Sequence, residues 1–210
     1  MDQKLNICLV KTSLPSYFPE KHDVWERSIN GLSKICKDMN VNLNIIQEIP
    51  MNANDTKKTI SKCKELNADF ILVLHGGFTM GDVALTFAES NFKLGFWSVP
   101  EPTLTGDVQL NNFVSLNMSM SIAKKVRNTS KNPVSWYYGF AENKEFKQKI
   151  TLTLQTLQSL KTLSRSRIGL IGGLAMTFYN MEVSTTKLKS KLGVDTVSYT
   201  HLRAHETPCH

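Results

Sequence analysis

The stretch ADFILVLHGG (68–77) does most to limit what this chain can fold into. Five consecutive apolar residues bounded by a Gly-Gly break make a short buried strand, and the segments on either side carry helical periodicity. LNICLV (5–10) is a similar compact run. Between the two, residues 23–39 place Val24, Trp25, Ile29, Leu32, Ile35, Cys36 and Met39 on one helical stripe, with Asp23 as a candidate N-cap. VNLNIIQEI (41–49) alternates as a strand. Residues 55–67 form a second helix with Ile60, Cys63 and Leu66 inward, capped by Asn54 or Asp55. The order then continues as a short helix (82–90), the strand KLGFWSVP (93–100), a helix (112–127) and the strand VSWYYGF (134–140). A long helix over 143–163 carries Phe146, Ile150, Leu154, Leu157, Leu160 and Leu163 on one side.

Strands that alternate with helices across short connections must pair in parallel, because each crossover helix has to pack back on the sheet. Residues 1–164 therefore read as one three-layer, Rossmann-like α/β domain with a parallel sheet. After the polar break LSRSR (163–167), RIGLIGGLAMTFYN opens a new strand–loop–helix. EVSTTKLKSKLG follows as a helix with Leu188 and Leu192 inward, and VDTV starts a further strand. Residues 165–196 are thus the first β-α-β of a second α/β domain. A single unit of that size leaves its apolar face uncovered, so the expectation is a truncated domain with poor solubility.

Composition closes off several classes. Hydrophobic residues make up 41% and charged residues 20%, which is ordinary for a globular protein. No apolar run is long enough to span a membrane, and the N-terminus lacks a signal-peptide pattern. Cys8, Cys36, Cys63 and Cys209 show no C-x-x-C pair and suit reduced thiols of a cytoplasmic protein. The net charge of +7 comes from lysines interleaved with acids along helix faces, without the basic block and aromatic platforms of a nucleic-acid module. The expected partner is a small molecule, with neither nucleic acid nor membrane.

Ligands of open α/β sheets bind beyond the carboxyl ends of the strands, and two strand ends here are polar. In LHGGFTMGD, His75 follows the buried run. It could donate to a sugar hydroxyl or a phosphate, or simply close a tight turn as a hydrogen-bonded histidine. In SVPEPTLTGDVQLNNFVSLNMS (98–119), Glu101, Gln109, Asn112 and Asn117 stand among groups that both donate and accept, a set suited to a polyhydroxylated ligand. Pro100 and Pro102 flank Glu101 and stiffen its loop. The same stretch also suits a solvated loop with Asn111 or Asn112 capping a helix. IGLIGG lacks full dinucleotide spacing, so a nucleotide-dependent enzyme is a weaker reading.

DFILVLHGGFTMGDVAL, LGFWSVPEPTLTGDVQLNNFVSLNMSMS and RIGLIGGLAMTFYN together resemble the N-terminal part of the L-fucose isomerase and L-arabinose isomerase superfamily, over about residues 4–196. The most specific part is a strand ending in Pro-Glu, a polar loop, and Leu-Asn-x-Phe-x-x-Leu-Asn entering a helix. The resemblance implies a cytoplasmic aldose–ketose isomerase of carbohydrate metabolism in which a proton moves between adjacent carbons through an enediol. It also implies Mn2+ in a Lewis-acid role. The family's metal ligands come later in the chain than any residue here, so the resemblance gives this chain no metal ligand and no catalytic residue, and the expectation is an inactive fragment. It implies a homo-oligomer in which Glu101, Gln109, Asn112 and Asn117 contact the sugar, or support the residues that do, in a pocket shared with a neighbouring protomer; with His75 from the strand-end reading they make up the expected substrate-binding set. A cytosolic sugar sensor or regulator built from periplasmic-binding-like domains is the alternative.

THLRAHETPCH closes the chain and looks at first like a metal site, with His201 and His205 one helical turn apart and Cys209 and His210 after them. Residues 197–210, however, are similar to a translated sequencing-adapter read-through, and Pro208 interrupts the helix that would align the histidines. The stretch is expected to be a non-native tail.

Overall fold

The computed structural model describes residues 4–127, 133–171, 177–178, 180 and 182–199. They divide into two compact units at Leu154/Gln155. The first unit is built on β1 (Asn6–Thr12), β2 (Asn42–Ile46), β3 (Phe70–His75), β4 (Lys93–Ser98) and β5 (Val134–Tyr138), all parallel in the order β2-β1-β3-β4-β5. Its helices are α1 (Val24–Asp38), α2 (Ala53–Glu65), α3 (Gly81–Glu89), α4 (Asn112–Val126) and the first half of α5 (Lys144–Leu163). This is the expected Rossmann-like α/β architecture.

The order of the strands fixes the layers. The chain steps outward from β1 to β2, then crosses back to β3 and proceeds the other way. Right-handed crossovers therefore put α1 on one face and α2, α3 and α4 on the other. Alternate residues serve alternate faces. Cys8, Val10, Ile71, Val73, Leu94 and Phe96 pack with Cys63 of α2, Val83, Ala84 and Phe87 of α3, and Leu116 and Ala123 of α4. On the opposite face the Phe146 ring of α5 meets Trp97 at 4.6 Å and Tyr137 at 6.0 Å. All six residues of β3 are buried, as its unbroken apolar run requires. The free thiols of Cys8, Cys36 and Cys63 are buried too, and burial pushes Cys36 up to about 12.

Several local expectations are corrected. Asp23 does not cap α1 with its carboxylate. A 3-10 helix over Pro19–His22 ends on it in the left-handed region (φ 54), so its side chain makes no bond to the first turn. Neither Asn54 nor Asp55 caps α2. Asn52 does, its side chain accepting from the Asp55 N–H at 3.0 Å, which starts the helix at Ala53. Leu160 and Leu163, assigned to the apolar side of α5, are exposed.

The second unit contains β6 (Arg167–Ile171), α6 (Thr185–Leu192) and β7 (Asp195–Tyr199), with β6 and β7 parallel. Ser184 caps α6 by accepting from the Lys187 N–H, and Gly193 ends it with φ 74. Leu188 is half-buried, whereas Leu192, expected inward, is exposed; Ile168, Leu170 and Ile171 of β6 are exposed as well. β7 continues to Tyr199, so Val197, Ser198 and Tyr199 of the stretch read as foreign take part in a strand. His201, His205, Cys209 and His210 lie outside the described residues, as does most of the chain between Ile171 and Glu182. Among the described residues no helix is long and apolar enough to cross a membrane.

Candidate functional site

The switch point of this strand order lies between β1 and β3, where open α/β sheets offer a crevice. Here that crevice is filled. A Cβ on Gly76 would sit 2.2 Å from the Trp25 ring, and one on Gly77 would sit 2.4 Å from Ser13 Oγ and 2.6 Å from Tyr17 Cβ. The Gly-Gly pair admits neighbouring side chains of the same chain rather than a ligand. Apart from Ser28 Oγ on α1, the buried side-chain polar atoms without partners among the described residues lie further along the sheet.

At the carboxyl edge, Thr12, His75, Ser98 and Tyr138 are neighbours in register across β1, β3, β4 and β5. Strand alternation turns them to the α3/α4 face, so the apolar core on that side ends in a polar row. Above it, α4 presents Asn112, Ser115 and Ser119, spaced three and four residues apart and all fully buried.

The half of this row nearest β1 is satisfied internally. His75 is fully buried and stacks on Phe96 at 5.5 Å. Its Nδ1 lies 2.8 Å from Thr12 Oγ1 and 3.3 Å from Thr79 Oγ1, and its Nε2 lies 3.1 Å from Ser119 Oγ. The Thr79 N–H donates to Ser115 Oγ at 2.8 Å. Burial drives the imidazole down from an ordinary 6.5 to about 3, so the ring is neutral and ties β1, β3 and α4 together. Both ring nitrogens are thus occupied by the chain's own hydroxyls, the arrangement of the hydrogen-bonded turn histidine rather than of a group open to a sugar.

The half nearest β5 is not satisfied. Ser98 Oγ, Glu101 Oε1, and both Oδ1 and Nδ2 of Asn112 are buried without a hydrogen-bond partner. Leaving such atoms unpaired costs about 1–3 kcal/mol each, which a ligand or ordered water would recover. The other Glu101 oxygen, Oε2, accepts from the Leu110 N–H at 2.8 Å, folding the Pro-flanked loop back toward α4. Phe113, next to Asn112, packs edge-on against Tyr138 at 5.1 Å. The Tyr138 phenol is raised above its ordinary range, first by burial and second by the Glu101 charge.

The remaining expected residues separate from this cluster. Gln109 is exposed on the loop. Asn117 is also exposed, on a different side of α4 from Asn112. There it lines a groove of about 590 Å³ with Phe113, Leu116, Met120 and Trp136. Glu101 is thus tied through Leu110 to the turn that leads into α4, two residues before Asn112, whereas Gln109 and Asn117 are exposed. Ser98 and Tyr138 were missed. The signal was present in alternation, because Ser98 continues the side of β4 that carries Leu94 and Phe96.

Among the described residues, no three His, Cys, Asp or Glu side chains converge as a metal site would need. One carboxylate, Glu101, among an amide and hydroxyls does not make a donor set that fits Mn2+.

No known family model matches the chain. Over 121 residues, 53% of its length, it is 26% identical to the sulfoquinovose isomerase of Priestia aryabhattai and equally to that of Priestia megaterium. The chain spans about a quarter of the length of these curated relatives, 26% in each case. Among solved structures it is similar to TubZ of Clostridium botulinum phage c-st, with a TM-score of 0.36 and 13% identity over 94% of this chain and 68% of that one. So loose an overlay bears on neither fold nor function. The chain is distantly similar to a sugar isomerase over half its length.

Proposed function

We propose that this chain is the N-terminal α/β part of a cytoplasmic aldose–ketose isomerase of the L-fucose and L-arabinose isomerase type. Its role is to hold part of the sugar, while the proton transfer and the expected Mn2+ belong to residues outside it. The observation that carries the reading is the set of buried polar atoms without partners on Ser98, Glu101 and Asn112, at the carboxyl edge of a parallel sheet. The similarity to sulfoquinovose isomerase supports a sugar as the ligand. A carboxylate oxygen accepts from hydroxyl groups, and the amide and the serine hydroxyl each donate and accept, so the set can orient a sugar without reacting with it. An aldose–ketose conversion relocates a proton and a carbonyl between adjacent carbons and consumes no oxidant, so a holding domain needs no redox group. In the intact enzyme this pocket is completed by another protomer.

The test is a pair of measurements on the 210-residue chain. Incubation with Mn2+ and L-fucose, L-arabinose or sulfoquinovose yields no ketose, while ligand-observed NMR detects weak aldose binding. Turnover by the chain alone would overturn the assignment of the chemistry to other residues. Absence of binding by every sugar tried would overturn the sugar-holding role.

A further inference from the structure

Besides the side of α4 that faces the polar row, a second stripe of the helix carries Phe113, Asn117, Met120 and Lys124, spaced four, three and four residues apart. With Val134 and Trp136 of β5, an edge strand of the sheet, this stripe lines the groove of about 590 Å³. Phe113 and Trp136 are about half exposed there, 45% and 49%. The volume lies in the range of small-molecule sites, which are mostly apolar with a few polar groups. Eleven described residues line the groove, well short of the roughly 20–30 a side of a stable protein interface. Charge is distributed unevenly along it. Phe113 and Lys124 are eleven positions apart, so about 16 Å separates an aromatic end from a cationic one. Lys124 is exposed and has no hydrogen-bond or ion-pair partner among the described residues. Arg127 lines the same end; its guanidinium donates to the carbonyls of Ala88 and Phe92 and adds positive charge. No Asp or Glu is among the described lining residues, and from Val108 to Ala141 the sequence holds none, against four basic residues. Lys149 of α5 brings a further cation, its Nζ 3.3 Å from the Trp136 ring centroid. Glu101 acts on Tyr138, which packs on Phe113 at the end away from Lys124. The dipole of α4 leaves about half a negative charge at its C-terminus, which offsets only part of the Lys124 and Arg127 charges.

We propose that this groove binds a small amphipathic carboxylate, an unbranched alkyl chain laid along α4 with its carboxylate at Lys124. The alkyl chain covers Leu116, Met120 and Val134 and ends by Phe113 and Trp136, and the unbranched Met120 side chain adapts to it. The carboxylate accepts from the Lys124 ammonium, in the positive field that Arg127 reinforces. A sugar does not suit these walls, because they would take its hydroxyls out of water without giving them partners. The site is therefore separate from the sugar-holding role, and neither depends on the other.

The experiment titrates the 210-residue chain, labelled with nitrogen-15, with hexanoate, octanoate, decanoate and octylammonium below their micelle concentrations. It follows the tryptophan indole N–H signals by NMR, with Trp136→Phe to assign that of Trp136. Octanoate should shift the Trp136 signal saturably and leave that of the buried Trp97 in place. Each fully buried methylene strengthens binding about fourfold, so each added pair should gain at least fourfold even in an open groove. Octylammonium should bind about fivefold more weakly than octanoate. Lys124→Glu should weaken octanoate about fivefold and strengthen octylammonium. Lys125→Glu makes the same change in net charge outside the described lining and should leave octanoate within about twofold. Both lysines are exposed, so both variants keep the fold. If octylammonium binds as tightly as octanoate, or if the two charge reversals act alike, the carboxylate assignment falls. Shifts that never saturate, or that move every indole equally, mean detergent-like association only and overturn the site. No shift with any alkanoate overturns it too, and a Trp136 signal that then changes on dilution of the protein would assign the groove to a second copy of the chain.

Discussion

His75 makes stability depend on pH in a way that can be isolated. In the unfolded chain the imidazole takes up a proton below about 6.5, whereas burial keeps it neutral in the folded protein down to about 3. The folded value is depressed, so this contribution to stability is complete above pH 6.5 and is lost progressively as the pH falls through the window from 6.5 to 3. Each unit of pH within that window is worth about 1.36 kcal/mol, so going from pH 7.5 to pH 5 removes about 2 kcal/mol on account of this one ring. His75→Gln supplies the control, because glutamine keeps a donor and an acceptor at the position and does not titrate. At pH 7.5 the variant should be less stable by about 1–2 kcal/mol, from the lost stacking on Phe96 and imperfect reach to Thr12 and Ser119. At pH 5 that deficit should have vanished or reversed, while every other titrating group is common to both proteins and cancels. The assay is urea unfolding at the two pH values, followed by tryptophan fluorescence, for which Trp97 is a fully buried reporter. A gap between wild type and variant that is the same at pH 7.5 and pH 5 would refute the reasoning, since it would mean the ring takes up its proton as readily folded as unfolded.

Arg127 clamps the end of α3 to the start of β4. Its guanidinium donates to the carbonyls of Ala88 at 2.6 Å and Phe92 at 2.9 Å and also reaches those of Phe87 and Ser90. Arg127→Met should lower the unfolding free energy by about 3 kcal/mol or more in urea titration, because several charge-assisted bonds are lost at once; a loss below about 1 kcal/mol would show that water replaces the clamp. Tyr138 offers a spectroscopic check on the candidate site. Ultraviolet titration, with Tyr138→Phe as the blank, should place its phenol above the ordinary 10, and Glu101→Gln should bring the midpoint down without restoring it, since burial is the larger cause. A midpoint unmoved by that substitution would separate Glu101 from Tyr138.

The strand–helix alternation, the parallel sheet and the identity of the buried run at 70–75 were legible in the sequence, because burial on both faces of a central strand admits almost nothing but apolar residues. That Glu101 and Asn112 lie at the carboxyl edge of the sheet was legible as well, since they belong to a polar stretch directly after a buried strand. What the sequence could not separate was which polar residues are used up by the fold and which are left over. His75, Ser115 and Ser119 look as available as Asn112 along the chain. Only the register that sets Thr12, His75, Ser98 and Tyr138 side by side, with α4 laid across them, satisfies the first three and leaves Asn112, Ser98 and Glu101 Oε1 without partners. The same holds for Gln109 and Asn117, which sequence spacing grouped with the site and the loop path and helix rotation set apart. Local pattern is fixed by which residues must leave water, whereas hydrogen-bond partnership joins residues far apart in the chain, 67 positions between Thr12 and Thr79, and is decided only when the layers close.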